Sequence, residues 1–143
     1  MIETVAIATD GSESVSRCVD VALDMAERFE ADVHALSVVD ETEVASSPER
    51  LRDELRTALE ADANGAVEGV TERTDQEITT AVIEGRPADA IAEYARTEGI
   101  DVVATGTRGR HGEHRFLIGS VAERLVRTCP VPVLTVRQLS AEE

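Results

Sequence analysis

The chain has 143 residues, a formal net charge of −15 and 42% hydrophobic residues, which suits one globular domain spanning 1–143 and excludes a disordered segment. Such acidity argues against nucleic acid and anionic membranes as partners, because both select a basic face, and no apolar run approaches the length of a membrane span. All 14 basic residues are arginine; a lysine-free acidic surface suits molar salt, where screening removes self-repulsion, so a halophilic source is expected.

Strand and helix patterns alternate along the chain. Thr4 to Thr9 is an apolar run closed by Asp10-Gly11 and predicts the first strand. Met1-Ile2-Glu3 before it has no basic n-region, so no signal peptide is expected and the location should be cytoplasmic. Val15, Cys18, Val19, Ala22, Met25, Ala26 and Phe29 recur at the helical period, and Asp10, Ser12 and Ser14 are each competent N-caps. Asp32 to Val39 predicts the second strand, and His34 within it reads as a satisfied sheet histidine. The acidic stretch Asp40 to Ser47 reads as loop, with a place for a lid. Pro48 opens the second helix, whose stripe of Leu51, Leu55, Ala58 and Leu59 fades near Asn64-Gly65.

Glu77 to Ile83 predicts the third strand. Arg86-Pro87 opens the third helix, with Ala90, Ile91, Tyr94 and Ala95 inward and Glu98-Gly99 ending it. Ile100 to Thr105 is the fourth strand. Ser120 to Thr128 is the fourth helix, with Val121, Ala122, Leu125 and Val126 on its apolar face and Ser120 with Glu123 fitting a capping box. Pro130-Val131-Pro132 then breaks the chain before a last strand, Val133 to Arg137. Right-handed crossovers in this order give an α/β fold, a doubly wound open parallel five-stranded sheet, order 3-2-1-4-5, with four helices on both faces. Aromatics are only Phe29, Tyr94 and Phe116, so Val, Ile, Leu and Ala fill the core. Cys18 and Cys129 form no C-x-x-C pair and read as small hydrophobes without a redox or metal role.

Ligands of such sheets bind at the carboxyl ends of the strands, where the strand order reverses. There the sequence places Gly106-Thr107-Arg108-Gly109, nine further residues, then Gly119-Ser120. Glycine admits φ > 0 and close backbone approach, and a helix start adds free N–H donors and a positive dipole end. Together they predict an anion site, of which a phosphate chain is the commonest occupant. Between Gly106 and Gly119 three arginines (Arg108, Arg110, Arg115) face one acid, Glu113, a net charge of +2 in an acidic chain. These arginines either bind phosphate or pair with surface acids. His111 and His114 lack the spacing of a helical metal pair.

This glycine pattern resembles the ATP-binding signature of the universal stress proteins. Ala8-Thr9-Asp10-Gly11-Ser12, Val38-Val39-Asp40, Gly85-Arg86-Pro87 and Pro132-Val133-Leu134 agree with it in order, over the whole chain. The resemblance implies that Asp10, with Ala8 and Thr9, lies beside ribose and adenine, and that Val38 contacts adenine, partly through its backbone. It implies that Gly106, Thr107, Arg108, Gly109 and Arg110 wrap the phosphates, and that Gly119, Ser120 and Val121 contact them. ATP or another adenine nucleotide is the expected cofactor, with Mg²⁺ reached by Asp10 through the nucleotide. A homodimer through the last strand, Val133 to Val136, and an unknown protein partner are also implied.

The first reading is therefore a stress-response regulator acting as a homodimeric nucleotide-dependent switch. A slow ATPase or phosphotransferase is an alternative: the P-loop is absent, with no lysine to serve it, and no dedicated base is visible. A dimer module of the same fold that binds no nucleotide is another. A response-regulator receiver is excluded by the single acid after the first strand and the missing lysine. A dinucleotide-binding domain is excluded because the first turn lacks G-x-G-x-x-G.

Overall fold

The computed structural model describes residues 1–108 and 118–139. Its strands are β1 (Thr4–Ala8), β2 (Asp32–Asp40), β3 (Ile78–Gly85), β4 (Val102–Gly106) and β5 (Val133–Val136). Its helices are α1 (Ser16–Phe29), α2 (Glu41–Ala45), α3 (Arg52–Thr71), α4 (Pro87–Thr97) and α5 (Ser120–Thr128). The sheet runs β3-β2-β1-β4-β5 with every pairing parallel, as the alternating pattern predicts.

Side-chain alternation in β1 divides the core in two. Val5 and Ile7 point to a layer built from α1 and α3, where Cys18, Val19, Ala22, Val67 and Val70 meet them. Ala6 and Ala8 point to the opposite layer, under Ala88, Ile91 and Ala95 of α4 and Leu125 of α5. Among the described residues Tyr94 is the one aromatic packed against either layer, and the small side chains elsewhere let helices sit close on alanine-rich strands. Burial pushes the Cys18 thiol up to about 12, because a thiolate there would lie in apolar packing.

Three local expectations differ from the structure. The stretch after β2 is not all loop: Asp40 caps α2, its Oδ1 accepting from the Thr42 N–H at 2.9 Å, which adds a short helix to the expected four. The second predicted helix does not fade at Gly65 but continues as α3 to Thr71, burying Ala63, Ala66, Val67 and Val70. Its leucine end projects beyond this packing, with Leu51 exposed and Leu55 half-buried. Tertiary burial of the later turns outweighs the helix propensity lost at Gly65 and Gly69. On α5, Val126 is exposed while Ala122 and Leu125 carry the contact. α4 keeps its predicted ends: Pro87 stands at its start, and the Ile100 N–H returns to the Ala95 carbonyl past Gly99 at φ 66°, a Schellman closure.

Gly11 turns the chain from β1 toward α1 at φ 77°, and a Cβ there would stand 3.1 Å from the Ala66 Cβ. Both backbone and space demand glycine. Gly65 instead faces nothing within 4 Å. Gly65→Ala should therefore raise stability by about 0.5–1 kcal/mol, and Gly11→Ala should lower it by about 1–3 kcal/mol. Urea unfolding midpoints check both.

Alkaline pH supplies a second test. Cys18 holds its proton more tightly folded than unfolded, so its contribution is complete below about 9 and is lost as pH rises toward 12. The expected slope is on the order of 1 kcal/mol per pH unit, and Tyr94, whose hydroxyl is also pushed up by burial and by Glu98, adds to it. With no lysine in the chain, no lysine titration obscures this limb. Stability measured from pH 8 to 11 should fall less steeply in Cys18→Ala than in the parent.

Candidate functional site

The chain leaves neighbouring strands in opposite directions. After β1 it turns through Asp10-Gly11 toward α1 on one face of the sheet. After β4 it leads toward α5 on the other. This reversal opens a crevice at the carboxyl ends of β1, β2 and β4, a cleft of about 360 Å³. Among the residues lining it are Ala8, Thr9, Asp10, Val38, Gly106, Thr107, Arg108, Gly119, Ser120 and Val121, which are all the described members of the sequence-predicted set. Gly109 and Arg110 lie outside the described residues, as do Arg115 and the pair His111 and His114.

One wall is the overhanging end of β2. The last β1 bond is from the Thr9 N–H to the Leu36 carbonyl at 2.9 Å. By the two-residue period, the N–H and C=O of Val38 point to the same side as those of Leu36. β1 has ended by then, so no strand stands beside them, while β3 continues along the other edge of β2 to Gly85. The Val38 main chain thus presents one donor and one acceptor to the cleft.

Two aspartates mark the strand ends with the same local geometry. Asp10 Oδ1 accepts from the Ser12 N–H at 2.9 Å and the Ser12 hydroxyl at 2.6 Å. Asp40 Oδ1 accepts from the Thr42 N–H at 2.9 Å and the Thr42 hydroxyl at 2.6 Å. Each carboxylate is held in place by the turn it forms. Glu43 of α2 also lines this wall, so the acidic stretch does border the cleft.

The other wall is the start of α5. Its N-cap is Gly119, at φ −67° and ψ 158°, and no side chain caps it. Ser120 is therefore the first helical residue, and the expected Ser120–Glu123 capping box is not formed. The first helical bond runs from the Glu123 N–H to the Gly119 carbonyl at 2.9 Å. This leaves the N–H groups of Ser120, Val121 and Ala122 without intrahelical acceptors, at the positive end of the helix dipole. The Gly119 N–H itself donates to the Thr107 carbonyl. Neither Gly106 nor Gly119 has positive φ. At Gly106 a Cβ would stand 3.4 Å from the Ser14 carbonyl oxygen, an ordinary contact distance, so neither φ nor space demands glycine there. Beside this helix start, Arg108 Nε is buried and has no hydrogen-bond partner among the described residues.

Several lining residues carried no functional signal in the sequence. Leu36, Leu59, Ala63, Ile91 and Ile118 supply apolar wall, and their pattern is that of any core or helix start. Glu43 was legible only as part of an acidic stretch, while Asp40 and Pro87 entered only through the motifs of the family resemblance. His34 does not reach the cleft: its Nδ1 lies 2.7 Å from the Tyr94 hydroxyl, the satisfied sheet role expected for it. Among the described residues no three His, Cys, Asp or Glu side chains gather as metal ligands, and no helix is long and apolar enough to cross a membrane.

Sheet order and crevice define a doubly wound α/β protein with a cleft at its switch point. The family model of the universal stress protein family matches residues 1–137, and the chain belongs to that family. Universal stress protein MJ0531 of Methanocaldococcus jannaschii is 32% identical over 99% of this chain and 86% of its own length. The structure of universal stress protein UspA from Lactobacillus plantarum superposes with a TM-score of 0.81 at 26% identity, covering 95% of this chain and 98% of that one. A universal stress protein crystallised in complex with cAMP matches at a TM-score of 0.65 and 25% identity, covering 95% and 97%.

Proposed function

We propose that the cleft binds an adenine nucleotide, ATP with Mg²⁺ foremost, and that this stress-response protein acts in the cytoplasm as a homodimeric, nucleotide-dependent switch read by a protein partner. The carrying observation is the Nε of half-buried Arg108, shut from water without an acceptor among the described residues, beside the first-turn N–H groups of α5 that have no intrahelical acceptor. A buried guanidinium donor without a partner is costly, and a phosphate oxygen would relieve it. The Val38 main chain offers the donor–acceptor pair that the amino and ring-nitrogen edge of adenine matches. The cleft volume falls within the range of roughly 300–1,000 Å³ usual for small-molecule sites. The relative crystallised with cAMP supports the adenine assignment.

In this reading Ala8, Thr9 and Asp10 border the ribose, and Asp10 approaches Mg²⁺ through the nucleotide. Gly106, Thr107 and Arg108 border the phosphates, together with Gly109 and Arg110 outside the described residues. The nucleotide thereby joins the ends of β1, β2 and β4 to α5 within one domain spanning 1–143. No lysine serves a phosphoryl-transfer site, which favours a switch over rapid turnover.

Dimerisation is assigned to β5, an edge strand. The Val103 N–H bonds the Pro132 carbonyl at 3.0 Å, so by alternation Pro132 and Leu134 address β4 while Val133 and Thr135 address the free edge. Antiparallel pairing with a second β5 would cover that edge.

Calorimetry in molar KCl should show saturable binding of about one MgATP per chain, weakened about tenfold or more in Arg108→Gln, since a charge-assisted bond contributes about 1.5–3 kcal/mol. A variant that binds as the parent does would refute the Arg108 assignment. Folded protein that neither binds ATP nor carries nucleotide through purification would favour the dimer module instead. Thr135→Pro removes an outward N–H and no ladder bond. Light scattering should find it monomeric with ATP binding retained, and an intact dimer would move the interface elsewhere.

A further inference from the structure

We propose that the cleft is polarised so that it admits nucleotides phosphorylated only at the 5′ carbon and rejects those carrying phosphate at the 2′ or 3′ carbon or closed between 3′ and 5′. This rests on the adenine-nucleotide reading and refines it. Among the described residues, the charged side chains lining the cleft are Asp10, Asp40, Glu43 and Arg108. Their positions are not mixed. Asp40 and Glu43 belong to the β2–α2 wall, Arg108 and the α5 start to the β4–α5 wall, and Asp10 closes β1 between them. Two strand spacings, about 10 Å, separate the walls.

A ligand that meets the Val38 main chain with its base and Arg108 with its phosphates lays its ribose over the end of β1. A 5′ chain then runs from the acidic side to the cationic side. A 2′ or 3′ phosphate cannot reach Arg108 or the α5 N–H groups without drawing the base away from Val38. It stays instead among carboxylates, and a 3′,5′-cyclic phosphate is likewise pinned to the sugar. Like charges in a partly water-excluded cleft repel more strongly than in bulk water, and such repulsion gives specificity. Neither aspartate is held loosely: Ser12 fixes Asp10 and Thr42 fixes Asp40, each through an N–H at 2.9 Å and a hydroxyl at 2.6 Å. The relative crystallised with cAMP shares the fold at 25% identity, so the selectivity belongs to these side chains and not to the architecture.

The test compares 5′-AMP with 3′-AMP, which carry the same charge and differ only in its attachment, and adds cAMP and ATP. Calorimetry is run at the lowest salt in which the protein still melts cooperatively, so that screening is least. The parent should bind 5′-AMP at least tenfold more tightly than 3′-AMP or cAMP. In the Asp40→Asn, Glu43→Gln double variant that ratio should shrink at least fivefold, through tighter binding of 3′-AMP and cAMP. Asparagine at 40 keeps the capping acceptor, so α2 is preserved. Equal affinities in the parent, or a ratio unmoved in the variant, would overturn the selectivity while leaving nucleotide binding intact. Folded protein that binds neither ATP nor 5′-AMP would remove the nucleotide reading and the selectivity with it.

Discussion

The burial of the centre of β1 on both faces and both edges is the constraint from which the rest of the structure follows. Val5, Ala6 and Ile7 have no exposed surface, and β2 and β4 flank them on both edges. A strand closed in this way must have helices on both faces. The chain leaves β1 toward one helix layer and β4 toward the other. Two neighbouring strands whose continuations diverge cannot cover their own carboxyl ends, and a crevice remains. The cleft is thus a by-product of covering the sheet, and its chemistry is left to whichever residues close β1, β2 and β4.

Those closing residues divide by charge. Most described arginines outside the cleft are matched to carboxylates: Arg28 with Asp24, Arg73 with Asp20, Arg124 with Asp89 and Arg127 with Glu123. These pairs are exposed and each adds little stability, so they do not offset the self-repulsion of a chain at −15. Arg108 is placed differently, with its Nε shut from water. The contrast separates a surface that tolerates charge from a cleft that positions it.

Much of this was legible in the sequence because the periods are strong. The five apolar runs and the helical stripe of Cys18, Val19, Ala22 and Ala26 specify an alternating α/β order, and crossover handedness leaves few ways to arrange it. The glycine spacing also marked the β4–α5 wall, through its place between a strand end and a helix start. What was not legible depends on tertiary reach. Leu51 and Leu55 made the more convincing stripe, yet Ala66, Val67 and Val70 meet the core, because position along the helix decides what lies beneath it. Glu43 and Leu59 come to the cleft through the placement of α2 and α3, which no local pattern encodes. The Val38 main chain is a site because of where β1 stops, a property of two strands together.

The same geometry explains how a bound ligand could be felt at the sheet edge. α5 is nine residues long, a rod of about 13 Å, with its N-terminus at the cleft. Its C-terminus leads through Cys129 to Pro132 directly into β5. Leu125 is fully buried against the β-sheet layer and anchors the rod there. In the proposed switch, a ligand held by the Ser120 to Ala122 N–H groups would bias the tilt of α5, and the strand that follows would carry this bias to the edge where Val133 and Thr135 face outward. Coupling of this kind would be reciprocal: pairing at β5 would change nucleotide affinity by the same factor by which nucleotide changed pairing. A monomeric Thr135→Pro protein that bound ATP with unaltered affinity would leave the dimer and the cleft as two independent properties of one sheet.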